Sequence, residues 1–182
     1  MDELIHTLET DLFRVSWATI NRLCRQIPSQ LRSNPRSCEQ FAEKVLIENL
    51  FGSDITFIHT ESGRPSIIPA INRADAECPP ISISHGAGII ALAVSKTDRL
   101  IGVDVEEPRL QLLRIYPRFL RSEERPAEIT VQTLLPLWTA KEASWKATSP
   151  QPPSLIDIHL NKFDIHHHPI HPNALLTVAI PL

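Results

Sequence analysis

Apolar residues recur at helical spacing in parts of this 182-residue chain, and they alternate or run together in other parts. A spacing of three or four residues, as in Phe41, Val45 and Leu46, places apolar side chains on one helix face. The predicted helices are residues 15–25, 38–50 and 131–147. Alternation with a period of two, or a short unbroken apolar run, is typical of strands. The predicted strands are residues 4–8, 55–59, 81–84, 89–95, 100–105, 155–160 and 175–180.

Two segments towards the C-terminus need separate interpretation. Residues 110–120 have helical spacing, but Pro117 lacks the N–H that a helix interior uses, so we expect a bend or a split there. The last two predicted strands are expected to pair across a histidine-rich loop. The order of helices, strands, helices and strands predicts an α+β fold. We expect two similar halves, residues 1–100 and residues 101–182.

The composition is ordinary for a soluble globular protein, with 42% hydrophobic and 21% charged residues. A net charge of −3 argues against a general nucleic-acid binder, which would usually be basic. No apolar run approaches the roughly 20 residues that span a bilayer, and the N-terminus lacks the pattern of a signal peptide. Cys24, Cys38 and Cys78 lack metal-ligand spacing, which predicts reduced thiols in a cytoplasmic protein.

Two acidic residues lie close together in the predicted strand that contains the sequence GVDVE. Residues two apart on a strand point to the same side, so Asp104 and Glu106 would project together. Grouped carboxylates suit Mg²⁺, which often takes its other ligands from water and substrate phosphates. An Asp-x-Glu pair also occurs on solvated strands, so this segment by itself leaves both interpretations open.

The predicted helix with the sequence WTAKEASWK adds a third carboxylate and two cations. Glu142 and Lys146 share a face at four-residue spacing, which is also typical of a simple surface pair. Trp138 and Trp145 are as consistent with core packing as with substrate contact. Taken together, the two segments suggest a site that holds a divalent metal and a phosphorylated substrate.

The two segments together resemble the 4′-phosphopantetheinyl transferase superfamily, whose motifs are GxDxE and WxxKEAxxK. Three further segments match in the same order: Gly63-Arg64-Pro65 is similar to a Gly-Lys-Pro turn, Ile83-Ser84-His85-Gly86 to a Ser-His strand, and Arg118-Phe119-Leu120 with Glu124 to an Arg-Phe-Phe…Glu segment. The resemblance covers roughly residues 40–160 and fits the larger, monomeric surfactin-synthetase-type class. It implies two pseudo-symmetric α+β halves with the active site at their interface.

The resemblance also implies a reaction. Such enzymes transfer the phosphopantetheine arm of coenzyme A to a serine of an apo acyl or peptidyl carrier protein and release 3′,5′-ADP. Asp104, Glu106 and Glu142 would bind Mg²⁺ on the pyrophosphate. Either Glu142, or Glu124 through a water, would take the serine proton. Binding of coenzyme A is assigned to residues with hydroxyl, imidazole or cationic side chains: Arg64, Ser84, His85, Lys141 and Lys146.

An arginine-rich segment is our candidate for the carrier-protein surface, because carrier proteins of this kind are acidic around their serine. Arg114, Arg118 and Arg121 would supply positive charge, and Leu113 and Phe119 would supply apolar contact. The alternative is a solvated helix face whose apolar side belongs to the core.

Some features depart from the family pattern. No glycine follows Lys146 closely, and the N-terminal phosphate clamp of relatives has only Arg32, Arg36 and Lys44 as candidates. A non-catalytic relative that binds a carrier protein or coenzyme A is therefore the alternative function.

The histidine-rich segment invites a second metal hypothesis. It contains His166, His167, His168 and His171. A loop with prolines fixes no ligand geometry, so we interpret the segment as a solvated loop.

Overall fold

The computed structural model describes residues 4–27, 34–53, 55–60, 63–69, 78–151, 154–170 and 172–182. The chain divides into two compact units, Met1–Asp98 and Arg99–Leu182. Each unit combines helices with antiparallel strands, so the class is α+β, as the sequence pattern predicts. Arg32 and His171 lie outside the described residues.

The N-terminal unit contains a four-stranded sheet, a two-stranded hairpin and two helices among its described residues. In chain order its elements are β1 (His6–Glu9), β2 (Phe13–Thr19), α1 (Ile20–Cys24), α2 (Pro35–Phe51), β3 (Ile55–His59), β4 (Pro65–Pro69), β5 (Ile81–Gly86) and β6 (Ile89–Ser95). The sheet has the order β1-β2-β6-β5, and each neighbouring pair is antiparallel. Strands β3 and β4 form the separate hairpin.

Helix α2 begins at a side-chain cap and ends at a glycine. The Asn34 side chain accepts a 3.0 Å hydrogen bond from the Arg36 N–H, and Pro35 occupies the first helical position. Gly52 follows the last turn with φ of 82°, a conformation that favours glycine. The buried face of the helix packs against β2 and β6, which forms the core of this unit.

The helix predicted for residues 15–25 is largely wrong. The segment begins within strand β2, and only Ile20–Cys24 is helical. Strand β2 lies between β1 and β6, and side chains on both of its faces are buried, including Val15, Trp17 and Ala18. A strand that is buried on both faces loses the alternation that distinguishes it from a helix.

The C-terminal unit packs one long helix on a three-stranded sheet. Its elements are β7 (Gly102–Glu106), α3 (Leu112–Ile115), α4 (Val131–Lys146), β8 (Phe163–Ile170) and β9 (Ala174–Pro181), with short 3₁₀ turns at Tyr116–Arg118, Ser122–Glu124, Leu155–Asp157 and Leu160–Lys162. The strand order is β7-β9-β8, and α4 packs against β7 and β9. Helix α4 starts at Thr130, whose hydroxyl accepts a 3.1 Å hydrogen bond from the Thr133 N–H.

The predicted split in residues 110–120 is confirmed, because α3 ends at Ile115 and a 3₁₀ turn containing Pro117 follows. The strand predicted for residues 155–160 is wrong, since this stretch forms 3₁₀ turns. Strand β9 pairs instead with β8, from Phe163 opposite Pro181 to Ile170 opposite Ala174.

The histidine-rich loop is therefore also a wrong prediction, because His166, His167 and His168 belong to β8. Backbone pairing with the buried strand β9 outweighs the low strand preference of this segment. A carboxylate also lies nearby: Asp164 Oδ2 is 3.1 Å from His166 Nε2.

Candidate functional site

The two motif segments lie against each other within the C-terminal unit, because strand β7 carries GVDVE and helix α4 carries WTAKEASWK. A Cβ built on Gly102 would lie 1.8 Å from the carbonyl oxygen of Ala143. No side chain fits at that distance, so glycine is required for this helix to approach this strand. The close approach fixes which residues of α4 lie opposite Asp104.

Lys146 joins the end of the helix to the strand. Its Nζ donates a 2.9 Å hydrogen bond to Asp104 Oδ1 and another of 2.9 Å to the Val103 carbonyl oxygen. Asp104 is 5% exposed, whereas the Lys146 side chain is 24% exposed. A hydrogen bond between opposite charges in such a setting is shorter and stronger than one between neutral groups. Lys146 therefore keeps the Asp104 carboxylate in place and retains some access to solvent.

Glu142 is half-buried and lies one helical turn before Lys146. Burial raises the pKa of its carboxyl, the negative charge of Asp104 raises it further, and Lys146 partly offsets both effects. Asp104 and Glu142 are thus close enough to repel each other. A carboxyl with a raised pKa is a better proton acceptor once it is ionised.

Glu106 lies in the same unit but has its own partners. Its Oε2 accepts a hydrogen bond from the Arg109 guanidinium, and its Oε1 accepts one of 3.3 Å from the Trp138 indole N–H. The Trp138 ring packs edge-on against Phe119, with 4.9 Å between ring centroids. The Glu106 side chain is 15% exposed, so these two donors hold it at the edge of the core.

The carboxylates do not form a complete set of metal ligands in this arrangement. Within the described ranges, no group of three or more His, Cys, Asp or Glu side chains is placed to hold a metal ion. Asp104 and Glu106 each bind a cationic side chain instead. The chemistry of the donors nevertheless fits Mg²⁺, because they are hard oxygens and a cation would relieve the repulsion between Asp104 and Glu142.

Lys141 and Glu124, both predicted as site residues, bind each other. Lys141 is fully buried, and its Nζ donates 2.8 Å hydrogen bonds to both carboxylate oxygens of Glu124 and a further one to the Ile158 carbonyl. Glu124 Oε2 also accepts a 2.9 Å hydrogen bond from the Arg121 N–H. Burial lowers the pKa of the Lys141 ammonium, and Glu124 counteracts that shift.

Sequence reasoning missed this ion pair. The two residues are 17 positions apart on different elements, and no spacing rule connects them. The one signal was the charge itself, because a lysine in the middle of a helix with a buried face needs an acidic partner.

The remaining predicted residues belong to the N-terminal unit. The turn at Gly63-Arg64 is present: Gly63 has φ of 79°, and the Thr60 N–H donates a 2.8 Å hydrogen bond to the Arg64 carbonyl. Burial lowers the pKa of the Arg64 guanidinium. Ser84 and His85 are neighbours on β5, so their side chains point to opposite faces; Ser84 is buried and His85 is exposed.

The candidate carrier surface is smaller than predicted. Phe119 is 1% exposed and belongs to the core, and Arg121 is bound to the 3₁₀ turn and to His159. Leu113, Arg114 and Arg118 are exposed, and Leu110, which was not predicted, is 77% exposed. The exposed set is therefore Leu110, Leu113, Arg114 and Arg118.

Comparison with known protein families and with curated proteins finds no match for this chain. Among the residues that the structure describes, none of the helices has the length and apolar character needed to cross a membrane.

Proposed function

We propose that the chain is a Mg²⁺-dependent 4′-phosphopantetheinyl transferase that acts on coenzyme A and an apo acyl or peptidyl carrier protein. The observation that carries the proposal is the crossing of β7 and α4, in which Asp104 contacts Lys146 and interacts electrostatically with Glu142. Two carboxylates that repel each other at a buried crossing destabilise the fold, so their presence there favours a functional role. The proposal includes the transferase fold of two pseudo-symmetric α+β halves and a cytoplasmic monomer.

In the proposed reaction Asp104, Glu106 and Glu142 would hold Mg²⁺, which neutralises charge on the pyrophosphate of coenzyme A when it is bound. Lys146 has the position to contact a phosphate, because its ammonium lies beside Asp104 and is partly exposed. Its contact with Asp104 also keeps that carboxylate oriented.

Glu142 is the better candidate for the base that takes the serine proton. Without a metal the pKa of Glu142 is raised, which suits a proton acceptor, whereas both oxygens of Glu124 already accept hydrogen bonds from Lys141. Direct coordination of Mg²⁺ would lower that pKa, so the base role of Glu142 and direct metal binding by its carboxylate are alternatives. For Glu124 to accept a proton, this buried pair would have to break. The role of Lys141 would then be to hold Glu124 in place, without direct contact with coenzyme A.

The assignments of Arg64, Ser84 and His85 to the phosphates of coenzyme A rest on the resemblance of their segments. The cationic Arg64 fits that role chemically, because guanidinium can bind phosphate with two hydrogen bonds. The exposed set of Leu110, Leu113, Arg114 and Arg118 offers apolar and positive surface to an acidic carrier protein.

A non-catalytic relative that binds coenzyme A or a carrier protein is the second candidate. It is favoured by the contacts of Asp104 and Glu106 with cations in place of a complete metal-ligand set among the described residues.

Intact-mass measurement of apo carrier proteins incubated with the chain, Mg²⁺ and coenzyme A separates the two candidates. The transferase adds one phosphopantetheine, and Asp104→Ala and Glu142→Ala abolish the addition. Asp164→Ala, which removes a carboxylate from β8, serves as the matched control and retains activity. If no carrier gains mass although coenzyme A binds, the non-catalytic relative is the correct reading.

A further inference from the structure

A groove in the N-terminal unit lies along helix α2 and strand β3. Its lining includes Lys44, a candidate for the phosphate clamp, but none of the residues that the proposed function uses. Its volume is about 520 Å³. Pockets that hold small organic ligands fall in the same size range. Ile47, Ile55 and Phe57 form the apolar part of its mixed lining, and the polar part includes one half-buried carboxylate, that of Glu43.

The negative charge of the largely buried Glu43 carboxylate is only weakly neutralised by the described residues around it. The Glu43 side chain is 13% exposed, and it forms an ion pair with His59, with 3.9 Å between Glu43 Oε1 and His59 Nε2. Imidazole carries a charge only when it is protonated, so it is a weaker partner for a carboxylate than lysine or arginine. Burial raises the pKa of the Glu43 carboxyl, as expected for a charge that lacks a strong partner.

The remaining charges of the groove do not supply that partner. Lys44 points to Glu48, with 3.6 Å between its Nζ and Glu48 Oε1, and its side chain is 69% exposed. Two carboxylates and one ammonium therefore leave one net negative charge when His59 is neutral. Such a groove attracts cations and repels phosphates and carboxylates.

We propose that this groove binds a small organic cation, a protonated amine with an apolar body. The ammonium pairs with Glu43, and the apolar body packs on Ile47 and Phe57. A ligand ammonium supplies the charge-assisted hydrogen bond that the carboxylate lacks. Among the described residues, no group of three or more His, Cys, Asp or Glu side chains in this groove is placed to hold a metal ion, which favours an organic cation over a simple metal ion.

Benzylamine is a suitable probe, followed by two-dimensional amide NMR of the full chain, with benzyl alcohol and benzoate as neutral and anionic analogues. We expect benzylamine to bind and to shift amide signals of α2 and β3, and the two analogues to bind roughly tenfold more weakly or not at all. Glu43→Gln should weaken benzylamine binding by a similar factor. Glu9→Gln, the same change at an exposed position of strand β1 outside the groove lining, is the matched control and should retain binding.

A second variant, which keeps the Glu43 carboxylate, tests the proposal even if Glu43→Gln does not fold. His59→Lys places a permanent cation beside Glu43 on an exposed position, and it should compete with the ligand and abolish benzylamine binding. Unfolding of any variant would be visible in the same spectra. Absence of benzylamine binding at millimolar concentration, equal affinity in the wild type and Glu43→Gln, or equal binding of benzoate would each overturn the proposal.

Discussion

Gly102 and Ala143 pack so closely that the strand backbone and the helix carbonyl leave no space for a side chain between them. This contact sets the position of α4 on β7, and with it the positions of Glu142 and Lys146 relative to Asp104. The glycine is thus a structural requirement of the site.

Gly102→Ala is expected to destabilise the chain by about 3 kcal/mol or more, because overpacking against backbone cannot be relieved by moving a side chain. Urea unfolding followed by circular dichroism measures the change. Gly88→Ala is the control: a Cβ there meets nothing within 4 Å, so only the left-handed φ of 71° opposes the change, at a cost of about 1–2 kcal/mol. Equal costs at the two positions would contradict the close contact.

The buried pair of Lys141 and Glu124 predicts strong coupling. Lys141→Met should cost about 3 kcal/mol, because it leaves a partly buried carboxylate without its cation. Glu124→Gln should cost at least as much, because the ammonium it strands is fully buried. Since each change removes the same contact, the double variant should lose less stability than the two single losses added together.

The same variants distinguish two roles for Lys141. If Lys141→Met left the free energy of unfolding unchanged and abolished coenzyme A binding, Lys141 would be a ligand contact. The measurements are urea unfolding and calorimetric titration with coenzyme A.

Glu142 predicts a pH dependence of stability. Its pKa in the folded chain lies above the ordinary value of 4.5, so the folded state holds its proton more tightly than the unfolded state. The resulting stabilisation is fully present below that ordinary value and is lost as pH rises through the raised pKa. Glu142→Gln should therefore flatten the stability profile above pH 4.5. A profile identical to that of the wild type would contradict the shift.

Lys146→Met should raise the pKa of Glu142 further. Lys146 lowers the pKa of Glu142, so its removal should move the loss of stability to higher pH. Nuclear magnetic resonance titration of the Glu142 side chain measures the displacement directly.

Mg²⁺ with coenzyme A should raise the melting temperature. At a ligand concentration 100-fold above Kd, binding adds about 2.7 kcal/mol to the stability. Asp104→Asn should remove the rise, whereas Asp164→Asn should retain it because that carboxylate lies on β8. A rise that persists in Asp104→Asn would place the metal elsewhere.

Much of the fold follows from local sequence patterns. Helix α2 has apolar residues at helical spacing, including Phe41, Val45 and Leu46, and strand β6 is an unbroken apolar run, so both were predicted. Strand β2 and the histidine-rich strand β8 were missed, because each is determined by its neighbours in the sheet.

The candidate site likewise has features that the sequence predicts and features that depend on tertiary packing. Asp104 contacts Lys146 and lies close enough to Glu142 to raise its pKa. The strand and the helix that carry these residues are regular elements, so their local structure was predictable. The pairing of Lys141 with Glu124 was not predictable, because burial of an ammonium depends on how α4 meets the 3₁₀ turn. Of the two interpretations left open for Phe119, partner surface and core, the structure shows the core, and residue spacing alone does not distinguish them.

Strand β8 lies at one end of the sheet order β7-β9-β8 and carries three histidines followed by Pro169. Proline has no N–H to offer a further strand, and edge strands are where sheets tolerate it. Adjacent imidazoles repel one another as they gain protons. The histidines and the proline made this strand hard to predict from the sequence. The same residues make it a poor template for a strand of another chain, which protects the sheet edge from intermolecular strand addition and aggregation.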